Sequence, residues 1–334
     1  VSVEDVKALF TQFLPSPELK EVGKIISKRL GRKLEAYDIW YDGFKPRSNL
    51  DETKLDSQIQ KLYPNAEAFK AGLPSLLTHL GFTPERANEI CDKIAVDAAR
   101  GSGHAWGAAM KGQQSHLRTR IPAEGMNYKG YNIAVHEFGH NVEQTISMYN
   151  VDNFMMAGVP NTAFTEALAF VFQKRDLQLL GIENNDPEKD KMDILDKFWS
   201  LYEIMGVSML DISIWEWLYA NPNATAEQLK EATINLSKEI WNKYYAPVFG
   251  KKDETVLAIY SHMISYPLYL SAYAFGQIIE FQLEDYLNGK NFAQEVDRIY
   301  RLGRLTPNEW MIQATGNDLS VEPMLHALQK VIKK

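Results

Sequence analysis

The chain has 334 residues, 45% of them hydrophobic and 24% charged, which is the make-up of a globular protein with a sizeable core and excludes a disordered, fibrous or disulfide-stapled chain. A formal charge of −7, a pI near 5.6 and the lack of any stripe rich in Lys and Arg exclude the electrostatic footprint of a nucleic-acid binder. Cys91 is the only cysteine, so an intramolecular disulfide and a cysteine-based zinc cluster are excluded as well.

The first residue is Val1 and no signal-like start is present, which hints at processing or excision; the compartment is left open, with cytoplasmic placement favoured and periplasmic or secreted placement as the alternatives. Well over half of the sequence reads as helix. Thr83-Pro84-Glu85 opens a predicted helix that runs to Gly101, with threonine as cap and proline in the first turn. Between Gly101 and Lys129 glycines and prolines punctuate two short runs, and His104–Met110 with Ser115–Ile121 reads as a β-hairpin around Lys111-Gly112-Gln113. The series Gly101-x-Gly103-x-x-x-Gly107 follows a helix and lacks the dinucleotide spacing, so it is no phosphate loop.

The next predicted helix contains His136-Glu137-Phe138-Gly139-His140. Residues four apart share a helix face, so both imidazoles can point at one metal ion, and Glu137 stands where its carboxylate can reach a water activated by that metal. Ile133, Ala134, Val135 and Phe138 make the motif's surroundings apolar, and buried polar side chains there need a partner that a cation would supply. A catalytic zinc takes three protein ligands. Position 146, where one large protease class has a third histidine, is Ile146, so the best third ligand is Glu166, 26 residues after His140 (166 − 140) near the start of a second apolar helix that follows Gly158 and Pro160. Asp152 and Glu143 are the fallback ligands, and the competing reading of Glu166 is a first-turn acid complementing a helix dipole.

Further helix starts are Asp186-Pro187-Glu188, Thr225-Ala226-Glu227 and Thr306-Pro307-Asn308-Glu309. Thr255 to Ile279 is free of Asp, Glu, Lys and Arg and long enough for a membrane helix, but His262, Pro267, Gln277, Tyr260, Tyr266, Tyr269 and Tyr273 suit a cleft floor better than lipid.

Taken together, His136-Glu137-Phe138-Gly139-His140, the downstream Phe164-Thr165-Glu166-Ala167 and a tyrosine-rich C-terminal segment resemble the thimet oligopeptidase and oligoendopeptidase F family of zinc peptidases, which are gluzincins. Ser102-Gly103-His104-Ala105-Trp106 and Ser115–Arg120 look like the hairpin that borders the substrate cleft in that family. Pro267-Leu268-Tyr269-Leu270-Ser271-Ala272-Tyr273-Ala274-Phe275-Gly276 looks like its tyrosine stretch, with His262 upstream. The resemblance runs from about Arg29 to Gly289. It implies a mainly α fold with a small β-sheet or hairpin beside the active site, a zincin-like metallopeptidase catalytic domain, and one Zn2+ per chain on His136, His140 and Glu166. It also implies Glu137 as general base and His262, Tyr266 and Tyr273 as hydrogen-bond donors to the scissile carbonyl; Tyr266 and Tyr273 are seven apart, so on one helix they share a face.

Three features depart from the family. Glu143 stands where the thimet branch commonly has a histidine, Met263-Ile264-Ser265 replaces a glycine-rich turn, and family members are substantially longer, with an N-terminal lobe that roofs a channel. The expected organisation is one catalytic unit with lobes, residues 1–100 forming an N-terminal helical part and 101–334 the zinc-binding part, its roof absent or removed. Peptides are the expected partners, with no nucleic acid and no stable membrane insertion, and the oligomeric state is left open. A peptide-binding relic without turnover, and a zinc hydrolase of non-peptide amides, are the competing readings.

Overall fold

The computed structural model describes residues 1–45, 51–101, 103–182 and 186–333; Ser102, the first residue of the hairpin motif, lies outside them. The protein is 67% helix and 5% strand. It divides into two compact units, the first made of Val1–Pro46, Asp186–Ile278 and Ser320–Lys334 and the second of Arg47–Asn185 and Ile279–Leu319.

The second unit holds the sheet and the histidine motif. The helix expected from Thr83 is real at its start, where the Thr83 hydroxyl accepts from Arg86 N–H at 3.2 Å, but it stops at Cys91 and not at Gly101. Ile94–Ala99 is a strand, β1. The expected hairpin is His104–Trp106 (β2) with Ser115–Arg120 (β3), so its first arm ends before Met110. Sheet order is β1-β3-β2, with β3 parallel to β1 in register Ile94↔Ser115 and antiparallel to β2 in register His104↔Arg118. Ile94 and Val96 alternate with small or polar residues, and pairing with β3 satisfies a backbone that a short helix could equally have satisfied.

β3 buries Ser115, Leu117 and Thr119 and exposes His116, Arg118 and Arg120, the period-two pattern of a one-sided sheet. Its covered face packs on the helix Tyr128–Asn150, where Thr119 Oγ1 donates to the Gly130 carbonyl at 3.3 Å. That helix is capped by Asn127, whose side chain accepts from Gly130 N–H, and carries His136 and His140 through a core of Tyr131, Ala134, Val135, Phe138 and Val142.

In the first unit the long helix Lys189–Ala220 buries Trp199 and Tyr202 against Trp241 and Tyr245 of a widened π turn, with Tyr202 and Tyr245 rings stacked at 4.4 Å. The helix starts expected near Glu188, Thr225 and Thr306 are present, Thr225 forming a reciprocal cap with Gln228. Among the described residues no helix is long and apolar enough to cross a membrane. The uncharged stretch from Thr255 breaks into the short turns Val256–Ile259 and His262–Ser265 before the helix Leu270–Leu287.

Candidate metal centre

His136, Glu137 and His140 sit midway along the helix Tyr128–Asn150, and Glu166 lies in the first turns of the helix Thr162–Gln173. The two helices touch at Gly139. A Cβ there would lie 2.9 Å from the Ala169 Cα and 3.0 Å from the Phe172 Cβ, so only a residue without a side chain allows this approach. The closeness brings the Glu166 Oε2 to 3.5 Å from His136 Nε2 and 4.0 Å from His140 Nε2. The three candidate ligand atoms fall within 4.8 Å of one another, and among the described residues this is the cluster able to hold a metal ion. Asp152 and Glu143 stand outside it.

The tautomers of both histidines follow from what lies behind them. The Asp176 carboxylate only accepts, so Asn132 must turn its NH2 towards it, and does so at 2.6 Å. The Asn132 carbonyl then accepts from Gln173 Nε2 at 2.7 Å, which leaves Gln173 Oε1 to accept from His136 Nδ1 at 3.1 Å. A proton on Nδ1 puts a lone pair on Nε2, the nitrogen that faces Glu166. His140 is oriented likewise: its Nδ1 lies 3.0 Å from the Thr165 hydroxyl, which donates onward to Glu143 Oε2 at 3.3 Å. Burial, and then the neighbouring His136, push the His140 imidazole down to about 4, so it stays neutral and ligand-ready at pH 7.

Such a donor set, two imidazoles fixed through their outer nitrogens and one carboxylate, fits zinc, whose catalytic sites pair three N and O ligands with an open position. Sequence reasoning found the three inner residues and missed the supporting ones, Asn132, Gln173, Asp176 and Thr165. Thr165 and Gln173 were legible in principle, flanking Glu166 or lying two turns along the same helix face; Asp176 is beyond the helix end, with no periodic signal.

Glu137 is 9% exposed. Burial raises the pKa of its carboxyl, opposed by His136 and reinforced by Glu166, while the Ala105 backbone N–H of β2 holds the charged form. Its carboxyl thus holds a proton more tightly than that of an ordinary glutamate.

The remaining predicted residues belong to the first unit. His262 lies 6.3 Å from Tyr266 and 6.1 Å from Tyr273, ring centre to ring centre, so the three aromatic groups do cluster. The expectation that Tyr266 and Tyr273 share one helix is corrected: Tyr266 ends the turn His262–Ser265, and Tyr273 is on Leu270–Leu287. Pro267 disfavours helical backbone at Tyr266, and Leu268 adopts a left-handed φ of 64°. Tyr266 is 65% exposed.

No protein-family model matches the sequence, and no curated protein matches it. Solved structures do. A candidate peptidase from Chlamydophila abortus superposes with a TM-score of 0.68 at 14% identity, covering 100% of this chain and 55% of that one. A candidate oligoendopeptidase F from Bacillus anthracis strain Ames gives 0.59 at 16% identity, again covering 100% of this chain and 55% of that one. Metallocarboxypeptidase 1 of Trypanosoma cruzi gives 0.58 at 15% identity, with 100% and 70% covered. The chain thus spans about 55% of the length of the first two. At such identities the likeness is one of fold, and the fold is that of metallopeptidases.

Proposed function

We propose that the protein is a zinc-dependent peptidase that hydrolyses oligopeptides. The observation that carries this reading is the pair of fixed Nε2 lone pairs converging with the Glu166 carboxylate beside a buried glutamate. A zinc ion held by His136, His140 and Glu166 supplies a Lewis acid that makes water nucleophilic near neutral pH. Glu137 takes the proton of the attacking water as its oxygen bonds to the carbonyl carbon, then delivers a proton to the leaving nitrogen as the C–N bond breaks. The raised proton affinity of its carboxyl suits both transfers. The reading further assigns His262, Tyr266 and Tyr273 as donors to the carbonyl oxygen as charge develops on it, a role supported by their clustering and by the resemblance of their sequence segment.

The test combines metal analysis with cleavage of a quenched peptide library. About one zinc per chain is expected after zinc-supplemented expression, and Glu137→Gln is expected to retain zinc while losing roughly 100-fold or more in kcat. Zinc below about a tenth of an equivalent, or turnover by Glu137→Gln comparable to that of the parent, overturns the reading.

A further inference from the structure

Past His140 the metal helix runs into a part of the second unit that the proposed chemistry leaves unused. Glu143 is 2% exposed there. Its Oε2 accepts the Thr165 hydroxyl at 3.3 Å, while Oε1 has no hydrogen-bond partner. Glu143 lines a pocket of about 460 Å3 whose walls include the apolar Met148, Val159 and Pro160. Arg304 also lines it, but does not bond to Oε1. Its guanidinium lies against Gly158, at a φ of +112°, where a Cβ would stand 2.7 Å from Arg304 Nε, and its backbone N–H donates to the Met156 carbonyl at 2.8 Å.

Three classes of ligand can be compared by their chemistry. An apolar group filling the pocket would seal Oε1 away from any partner, and an anionic group, itself an acceptor, would leave Oε1 without a donor. A long aliphatic stem tipped by a cation satisfies both features, its methylenes against Met148, Val159 and Pro160 and its head donating to Oε1. We propose that this pocket receives the side chain of a lysine or arginine of a bound peptide, with Glu143 as the residue that determines the preference. The proposal rests on the peptidase reading for its substrate. The two sites adjoin through Thr165, whose hydroxyl touches both His140 Nδ1 and Glu143.

Burial pushes the Glu143 carboxyl up to about 7, opposed by Thr165 and Arg304, and a cation at Oε1 would draw it back to the charged form.

The experiment scans lysine, arginine and norleucine through every position of a quenched peptide, using the zinc-loaded protein. At one position lysine or arginine is expected to exceed norleucine in kcat/KM by roughly tenfold or more. Glu143→Gln should bring that ratio close to one. Because Glu143 also touches Thr165, the ratio and not the absolute rate is the readout. Ala108→Trp, which fills the pocket from a wall without altering the carboxyl, should do the same and guards against misfolding of the first variant. A ratio near one at every position for the parent, or a preference that survives both substitutions, overturns the proposal. If no peptide is cleaved, the peptidase reading falls and the pocket is decided by NMR titration with N-acetyl-lysine N-methylamide. Binding that Glu143→Gln abolishes supports a site for basic side chains, and absent or unchanged binding overturns it.

Discussion

At Asp176 a single carboxylate sets the direction of four hydrogen bonds. It is fully buried, and besides Asn132 it accepts the Tyr128 hydroxyl at 2.9 Å and the Leu177 N–H at 2.7 Å. Replacing an acceptor-only group by an amide removes the reason for Asn132 to present its NH2, and the Asn132–Gln173 pair can then invert. An inverted Gln173 offers NH2 to His136 Nδ1, which moves the imidazole proton to Nε2 and blocks the ligand position. Asp176→Asn is therefore expected to weaken zinc binding by about 10–100-fold, with the fold retained. Competition against a chelator, with circular dichroism as the control, measures it; unchanged affinity would mean that the chain of amides does not set the tautomer.

The approach of the two site helices depends on Gly139 just as strongly. Alanine at that position gains about 1 kcal/mol in helix propensity. Against this stands a contact of 2.9 Å with the Ala169 Cα, which is backbone and cannot swing aside. Overpacking of that kind costs typically 1–3 kcal/mol, so the clash wins. Gly139→Ala is expected to lower the Tm of the metal-free protein and, by parting Glu166 from the histidines, to weaken zinc binding; a raised Tm with unchanged affinity would contradict the close packing. The same pair of helices shows what the sequence made legible. A four-residue repeat of histidines on an apolar helix states its own geometry, and an apolar helix beginning within reach made Glu166 the expected third member of the cluster. β1 was illegible because Ile94–Ala99 is short and rich in alanine, so its local preference is no guide, and only β3, some twenty residues later, makes it a strand. Tyr266 was misplaced for the opposite reason: a spacing of seven implies a shared helix face only if the helix is unbroken, and Pro267 breaks it.

For the molecule as a whole, the long helix Lys189–Ala220 carries three acids whose burial favours the neutral form. The Asp196 carboxyl is pushed up to about 6, with Asp193 and Asp42 adding to burial. Glu203 is pushed up to about 7 and Asp211 to about 6, burial being opposed by Trp40 and by the Leu268 N–H respectively. Unfolding returns these groups to the ordinary range near 4, so between about pH 4 and pH 7 the folded protein binds more protons than the unfolded chain. Their contribution to stability is complete below that window and is lost as the pH rises through 6 to 7. The metal-free protein is expected to melt at a higher temperature at pH 5 than at pH 7.5, by roughly 2–4 °C for each kcal/mol involved, and Glu203→Gln should flatten the dependence. A Tm that rises between pH 5 and pH 7.5 would contradict the assignment.

The first unit also joins distant stretches of chain. The helix Pro17–Leu30 packs on Glu322–Ile332, and Gln329 donates to Glu18 at 2.8 Å across 311 residues. A ribosome adding about 5–20 residues per second separates the two partners by roughly 15–60 s. Through that interval Leu19, Val22 and Ile26, all buried at the end, face water or a chaperone without the helix that completes their cover. The order of synthesis thus makes a helix formed 311 residues before its partner one of the last to find its place.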